Sequence, residues 1–173
     1  MQLVTRWRRT LIVVGFIGAA ASFSAAQEQG DSGWNRAPQG PFKAPAGRLC
    51  PFAIGGEPLK DDVVFKTVAT YPDGSPSEQF FKGALIVRFT NLDTGAFVDR
   101  SLSGVAHVFL GADGSQTIEG DGPAAFAFFP ADNVPRGMYV LRGSYSVYYA
   151  PNGAFRTLTP TDVPKEDLCD TLQ

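Results

Sequence analysis

Turn-forming residues punctuate the later two-thirds of this chain at short, regular intervals. They fall at Pro72-Asp73-Gly74, Asn91-Leu92-Asp93-Thr94-Gly95, Asp113-Gly114, Asp121-Gly122, Pro135-Arg136-Gly137 and Asn152-Gly153. Asp-Gly and Asn-Gly pairs tolerate the positive φ that tight hairpins require, so each marks a place where the chain turns back on itself. The runs between them are rich in Val, Phe, Tyr and Thr. Residues 80–91, FFKGALIVRFTN, put Phe81, Leu85, Val87 and Phe89 on one face and Lys82, Arg88 and Thr90 on the other. Residues 138–149, MYVLRGSYSVYY, put Tyr139, Leu141, Tyr145, Val147 and Tyr149 opposite Arg142, Ser144 and Ser146. A period of two is the signature of a half-buried strand.

Val63, Phe65, Ala69 and Tyr71 share a face in an earlier run, and shorter candidates cover residues 96–102, 104–111, 115–120, 123–129 and 153–159. No helical period of ten or more residues is present. Only TPTDVPKEDLC suggests a short C-terminal helical turn, with Asp162 as its cap and Pro164 in its first turn. The expected fold is therefore all-β: about eight antiparallel strands in a meander closing into a small barrel, with a β-sandwich as the alternative. Gly83, Gly104 and Gly143 lie within strand runs, where a small barrel bends at its corners.

The chain opens with an export signature. Arg6, Arg8 and Arg9 precede an apolar run from Leu11 to Ala21, and Ser24-Ala25-Ala26 supplies the small residues a signal peptidase needs. Residues 1–26 read as a signal peptide cleaved after Ala26. The apolar run is short of the roughly 20 residues of a membrane helix, which disfavours a retained anchor. The Arg8-Arg9 pair fits both the general secretory and the twin-arginine routes. Residues 27–47, QEQGDSGWNRAPQGPFKAPAG, read as a disordered Gly/Pro-rich arm, in which Trp34 and Phe42 are the groups able to dock on the body. Residues 48–173 then form a single β domain.

An exported address gives the two cysteines a meaning. Cys50 and Cys169 stand at opposite ends of the body with none between and with only one histidine in the chain, His107. Outside the reducing cytosol this reads as a disulfide rather than a metal site. Such a bond helps if the first and last elements of the fold are already neighbours. Cleavage would also remove three arginines and no acid, moving the formal net charge from -2 to -5. An acidic chain without a basic patch repels nucleic acid and anionic lipid.

Chemistry is harder to find. A serine hydrolase would have to use His107 as its base, with Ser101 and Ser103 nearby, but no G-x-S-x-G elbow surrounds them. Asp99, Glu119 and Asp121 are the carboxylates available to a glycosidase, yet Asp121 and Asp113 precede glycines and are explained by turns. GADGSQTIEGDG lacks the ligand spacing of a helix–loop–helix calcium site. With the leader gone Trp34 is the remaining tryptophan, so the body has no indole platform for sugars.

The aromatic load is high: twelve phenylalanines and five tyrosines follow Ala26. They read first as core. A sharper reading is an apolar cavity in the barrel, lined by Phe81, Leu85, Phe89, Tyr139 and Tyr145 and holding a small apolar molecule.

LCPF, VRFTNLDTG, SLSG, DGSQTIEGDG, LRGSYSVYYAPNG and DLCDTL together resemble a group of uncharacterised small secreted β-strand proteins of actinomycete bacteria. The likeness spans about residues 48–172 and implies an address and a β fold, with no site. The expectation is thus a secreted, extracellular, non-enzymatic β-barrel, without cofactor or metal, that binds a small apolar ligand or an extracellular protein. The alternative is a barrel-type enzyme with His107, Glu119 or Arg142 projecting into an apolar pocket.

Overall fold

A computed structural model describes residues 33–173; the expected signal peptide, residues 1–26, lies outside the described residues. The body is all-β, with fourteen strand segments and one short C-terminal helix. Most of these segments are halves of six long ribbons, each bent at a corner. The first ribbon joins β3 (Ile54–Asp61) to β4 (Val64–Thr70), and the second joins β5 (Pro76–Gly83) to β6 (Leu85–Asn91). The third runs through β7 (Phe97–Ser101) and β8 (Gly104–Leu110), the fourth through β9 (Gln116–Asp121) and β10 (Ala124–Phe128). The fifth holds β11 (Gly137–Leu141) and β12 (Ser144–Tyr149), and the sixth holds β13 (Arg156–Thr159) and β14 (Lys165–Asp167). Changing sheet at a bend is how orthogonally packed sheets share their strands.

Glycine with positive φ makes three of these corners, among them Gly122 (φ 110°) between β9 and β10, where Asp121-Gly122 bends a ribbon instead of forming the expected hairpin turn. Gly143 has φ 86° between β11 and β12. At Gly83 (φ 152°) a Cβ would stand 2.5 Å from the Asp62 carbonyl oxygen of the neighbouring ribbon's corner, so a side chain there would force the two apart. The uninterrupted strands expected over 80–91 and 138–149 are therefore each two strands, split at the glycine.

The meander is present: consecutive ribbons pair antiparallel, joined by turns over residues 71–75, 92–96 and 111–115 and by longer loops over 129–136 and 150–155. It forms three open sheets, and no closed barrel is found among the described residues. One half of every ribbon joins a seven-stranded sheet, in the order β1-β4-β5-β8-β9-β12-β13, where β1 is Asn35–Arg36. The other halves divide into a four-stranded sheet, β2-β3-β6-β7, with β2 at Phe42–Ala44, and a three-stranded sheet, β10-β11-β14. The seam lies between β7 and β10, where Pro123 opens the second half of its ribbon and has no N–H to offer across it.

At the outer edge of β13 side chains take the place of a closing strand. The Arg156 N–H donates to Asp132 Oδ1 (2.6 Å), and the Leu158 N–H donates to Asn133 Oδ1 (2.8 Å). Asn133 Nδ2 donates in turn to the Leu158 carbonyl (3.0 Å). The ladder groups that β13 would present to a next strand are thus occupied by the 129–136 loop, and an exposed edge is blunted.

The N-terminal segment 33–47, expected to be part of a disordered arm, carries β1 and β2 instead. β1 pairs with β4, and β2 with β3. Phe42 lies on Gly56, where a Cβ would come within 2.0 Å of its ring.

The core gathers Ile54, Leu85, Phe89, Phe126, Phe128, Val140, Leu141, Val147, Leu158 and Leu168, all almost fully buried. β6 alternates strictly, while β11 is buried at all five positions, the pattern of a strand covered on both faces. The helix α1 (Leu168–Thr171) is capped by Asp167, whose carboxylate accepts from the Cys169 N–H at 2.8 Å. The expected cap, Asp162, lies before β14. Cys50 and Cys169 form a disulfide, with Cα atoms 5.1 Å apart and 119 positions apart in sequence. A loop of that length corresponds to about 5 kcal/mol of chain entropy removed from the unfolded state.

Candidate functional site

The five residues expected to line a ligand cavity are core residues, each no more than 7% exposed: Phe81, Leu85, Phe89, Tyr139 and Tyr145. They do not converge on one space. Phe81 and Tyr145 share a partly open cleft with Val63, Leu102, Pro123 and Ala124, a cavity of about 20 Å³. That is room for a single water molecule. Phe89 packs against Phe42 (centroids 6.4 Å apart) and Tyr139 against Phe128 (5.9 Å). Burial, followed by the nearby Asp167 carboxylate, pushes the Tyr139 hydroxyl up to about 12. Burial likewise pushes the Tyr145 hydroxyl well above its ordinary value. Both are neutral groups in a packed interior.

The polar candidates lie elsewhere. Asp99 is held by Arg88 through two hydrogen bonds, 2.7 and 2.9 Å, which keep its carboxyl below the usual range. It is on the four-stranded sheet, whereas Glu119 and Asp121 are on the seven-stranded one. Asp113 accepts from the Ser115 N–H (2.9 Å) inside its hairpin turn. Ser101 and Ser103 hydrogen-bond to each other (3.2 Å), and Ser103 Oγ accepts from the Leu85 N–H (3.1 Å). Arg142 is 3.4 Å from Glu166, which Arg100 also grips at 2.6 Å; the Arg100 hydrogen bond holds the Glu166 carboxyl below its ordinary value. Most of these groups tie elements together, and Asp121 alone among them borders the cleft beside Phe81.

His107 leads to a different place, the outer face of the seven-stranded sheet. β5, β8 and β9 alternate, with Phe81, Ala106, Val108 and Ile118 facing the core. By register, Phe80, His107 and Glu119 stand side by side on the opposite face, with Lys66 of β4 next to Phe80. Phe109 lies two residues beyond His107 and is 38% exposed. Trp34 joins this face because β1 pairs with the edge of β4.

These side chains touch in a continuous row. Trp34 meets Phe80 edge-on at 6.0 Å, Phe80 meets His107 at 4.7 Å, and His107 stacks on Phe109 at 6.2 Å. Polar groups flank the rings. His107 Nδ1 is 2.9 Å from Glu78 Oε1, and the ammonium groups of Lys82 and Lys66 lie 4.1 and 5.2 Å from the centre of the Trp34 ring. Val105, 44% exposed, and Val68, 48% exposed, are on the same sheet. Aromatic rings edged by hydrogen-bonding groups at a solvent-facing surface mark a binding surface more often than a core.

By sequence Trp34 falls in the expected arm, which leaves the body without an indole; the pairing of β1 with β4 supplies one. The alternation of residues 104–110 carried part of the signal. With Ala106 and Val108 inward, His107 and Phe109 must face solvent, an unusual place for two rings. No family model, curated protein or solved structure matches the chain.

Proposed function

We propose that this protein is an exported, non-enzymatic binding module that engages an extracellular partner through the outer face of its seven-stranded sheet. The observation that carries the reading is the solvent-facing row Trp34, Phe80, His107 and Phe109, laid across the strands of a rigid sheet. Cross-strand ring pairs help hold the sheet, and rings that stay partly open to water on one continuous face also fit recognition. The disulfide supports the exported address, since such bonds persist in oxidising compartments. No helix among the described residues is long and apolar enough to cross a membrane. The N-terminal leader and the likeness to secreted actinomycete proteins belong to the same proposal.

Two other readings have less support. An apolar ligand held by Phe81, Leu85, Phe89, Tyr139 and Tyr145 would have to displace packed core side chains. An enzyme built on His107 would have a base paired with Glu78 on an exposed face, with Ser101 and Ser103 bonded elsewhere.

The test is retention of the purified, oxidised protein on the insoluble extracellular material of its own culture. The triple variant Phe80→Ser/His107→Ser/Phe109→Ser should lose retention while still unfolding in one cooperative transition, with its midpoint below that of the wild type. Equal retention of the variant and the wild type overturns the proposal.

A further inference from the structure

The Trp34 end of the outer face differs from the rest in charge. Lys66 lies directly opposite Phe80 in the β4–β5 ladder, and Lys82 is two residues further along β5 on the same face. The two lysines are thus diagonal neighbours, and both lean on the ring of Trp34. No carboxylate stands within 4.0 Å of either among the described residues, as is also true of Lys43 and Lys165, and what sets these two apart is that both ammonium groups gather over one ring. The chain has an excess of acid, 17 acidic against 15 basic residues, so carboxylates are not scarce. Two like charges held side by side on a strand pair repel. An anion placed between them would relieve that repulsion and gain charge-assisted hydrogen bonds from both.

We propose that this end of the face binds a carboxylate-bearing sugar chain, an acidic polysaccharide; the inference rests on the outer-face reading above and names its partner. The two halves of the surface select this chemistry jointly. A bare inorganic anion would satisfy the lysines and leave Phe80, His107 and Phe109 without a role. Nucleic acid, whose binding rests on many phosphate contacts at once, would find only two lysines in this row and, on the same face, Glu78, Glu119 and Asp121. A neutral sugar would use the rings and leave the lysines uncompensated. A uronate-containing chain puts the apolar face of its sugar rings on Phe109 and His107 and a carboxylate between the ammonium groups of Lys66 and Lys82. Because lysine is a point charge without a fixed fork, the charged contact gives affinity rather than fine geometric selection. It should weaken as salt rises.

The experiment is affinity electrophoresis and calorimetry of the oxidised protein against polygalacturonate, with a neutral β-glucan as the comparison polymer. The wild type should bind polygalacturonate, and the double variant Lys66→Gln/Lys82→Gln should bind roughly tenfold more weakly, with a flatter salt dependence. Phe109→Ala should also weaken binding, but without altering the salt dependence. Lys66→Arg/Lys82→Arg should retain binding, which separates lost charge from a disturbed fold. Binding to both polymers that ignores the lysines overturns the inference and leaves the outer-face reading standing. So does binding to neither polymer while retention on extracellular solids still depends on the rings. Self-association of the protein that is abolished by the same variants would assign the face to a second copy and overturn the inference as well.

Discussion

The two faces of the seven-stranded sheet are made from the same strands, yet they obey different rules. Inward, Phe81, Val108, Ile118, Tyr145, Val147 and Leu158 are buried to at least 93% and pack on the other two sheets. Outward, Phe80, His107 and Phe109 occupy positions one residue away and remain in reach of water. Ring for ring, Phe81 and Phe80 are chemically identical. What separates them is the pleat, which sends successive side chains to opposite sides. An inner ring is fixed by neighbours on every side and stabilises the fold; an outer ring touches fewer of them and keeps part of its surface open to water. Aromatic content alone therefore says nothing about function. Position on the pleat does.

The sharpest way to break this comparison is to truncate one ring on each side. Phe81→Ala removes a ring that stacks on Phe65 (5.4 Å) and borders the cleft beside Tyr145. It should lower stability by about 4 kcal/mol, as large-to-small core changes do when the site cannot collapse. Urea unfolding of the oxidised protein measures this directly. A loss below about 1 kcal/mol would mean that the inner face is not the packed side.

The edge of the sheet offers a second, somewhat smaller test. The Asp132 side chain is 2% exposed, accepts from the N–H groups of Phe129 and Arg156 at 2.6 Å each, and lies 3.5 Å from the Arg156 guanidinium. Asp132→Ala orphans two half-buried backbone donors and a largely buried cation, so a loss of about 3 kcal/mol is expected. Asp132→Asn keeps an acceptor and should fall between the alanine variant and the wild type. If the alanine variant unfolds at the wild-type urea concentration, the side-chain cover of β13 is dispensable, and the edge must be protected in another way. Hydrogen exchange at Arg156 and Leu158 would then locate the protection.

The same contrast explains what could be read from the chain. Strands with strict alternation, such as residues 85–91, were legible because one face is core and the other solvent. The corners at Gly83 and Gly143 were legible as glycines out of place in strand runs, and the cysteine pair by elimination of metal partners. β3 was not legible, because IGGEPLKD contains two glycines and a proline. Its glycines make sense only once Phe42 lies across Gly56. The expected closure failed for a similar reason. Asp132 and Asn133 imitate a strand edge with side chains, which no periodicity reveals. The candidate surface was half legible. The outward placing of His107 and Phe109 follows from alternation, but the docking of Trp34 depends on a two-residue strand formed with residues about 30 positions away.

The smallest expected effect on stability is the one that decides what the outer row is for. Phe109 is 38% exposed, and its ring meets only His107 within the row, at 6.2 Å. Phe109→Ala should change unfolding free energy by no more than about 0.5 kcal/mol, the ordinary range for surface positions away from caps and networks. A purely structural role, in which the ring shields the β8–β9 ladder beneath it, predicts a larger cost together with faster amide exchange at Thr117, its cross-strand partner. The binding role predicts neither. Measured beside Phe81→Ala in the same buffer, the pair gives a ratio of losses that should be about eight to one or higher. A ratio close to one would erase the distinction between the faces, since the outer rings would then be held by packing as the inner ones are. A ratio of about eight or higher leaves Phe109 with no contribution to folding large enough to account for an exposed phenylalanine, and the row it ends is then best explained by what it binds.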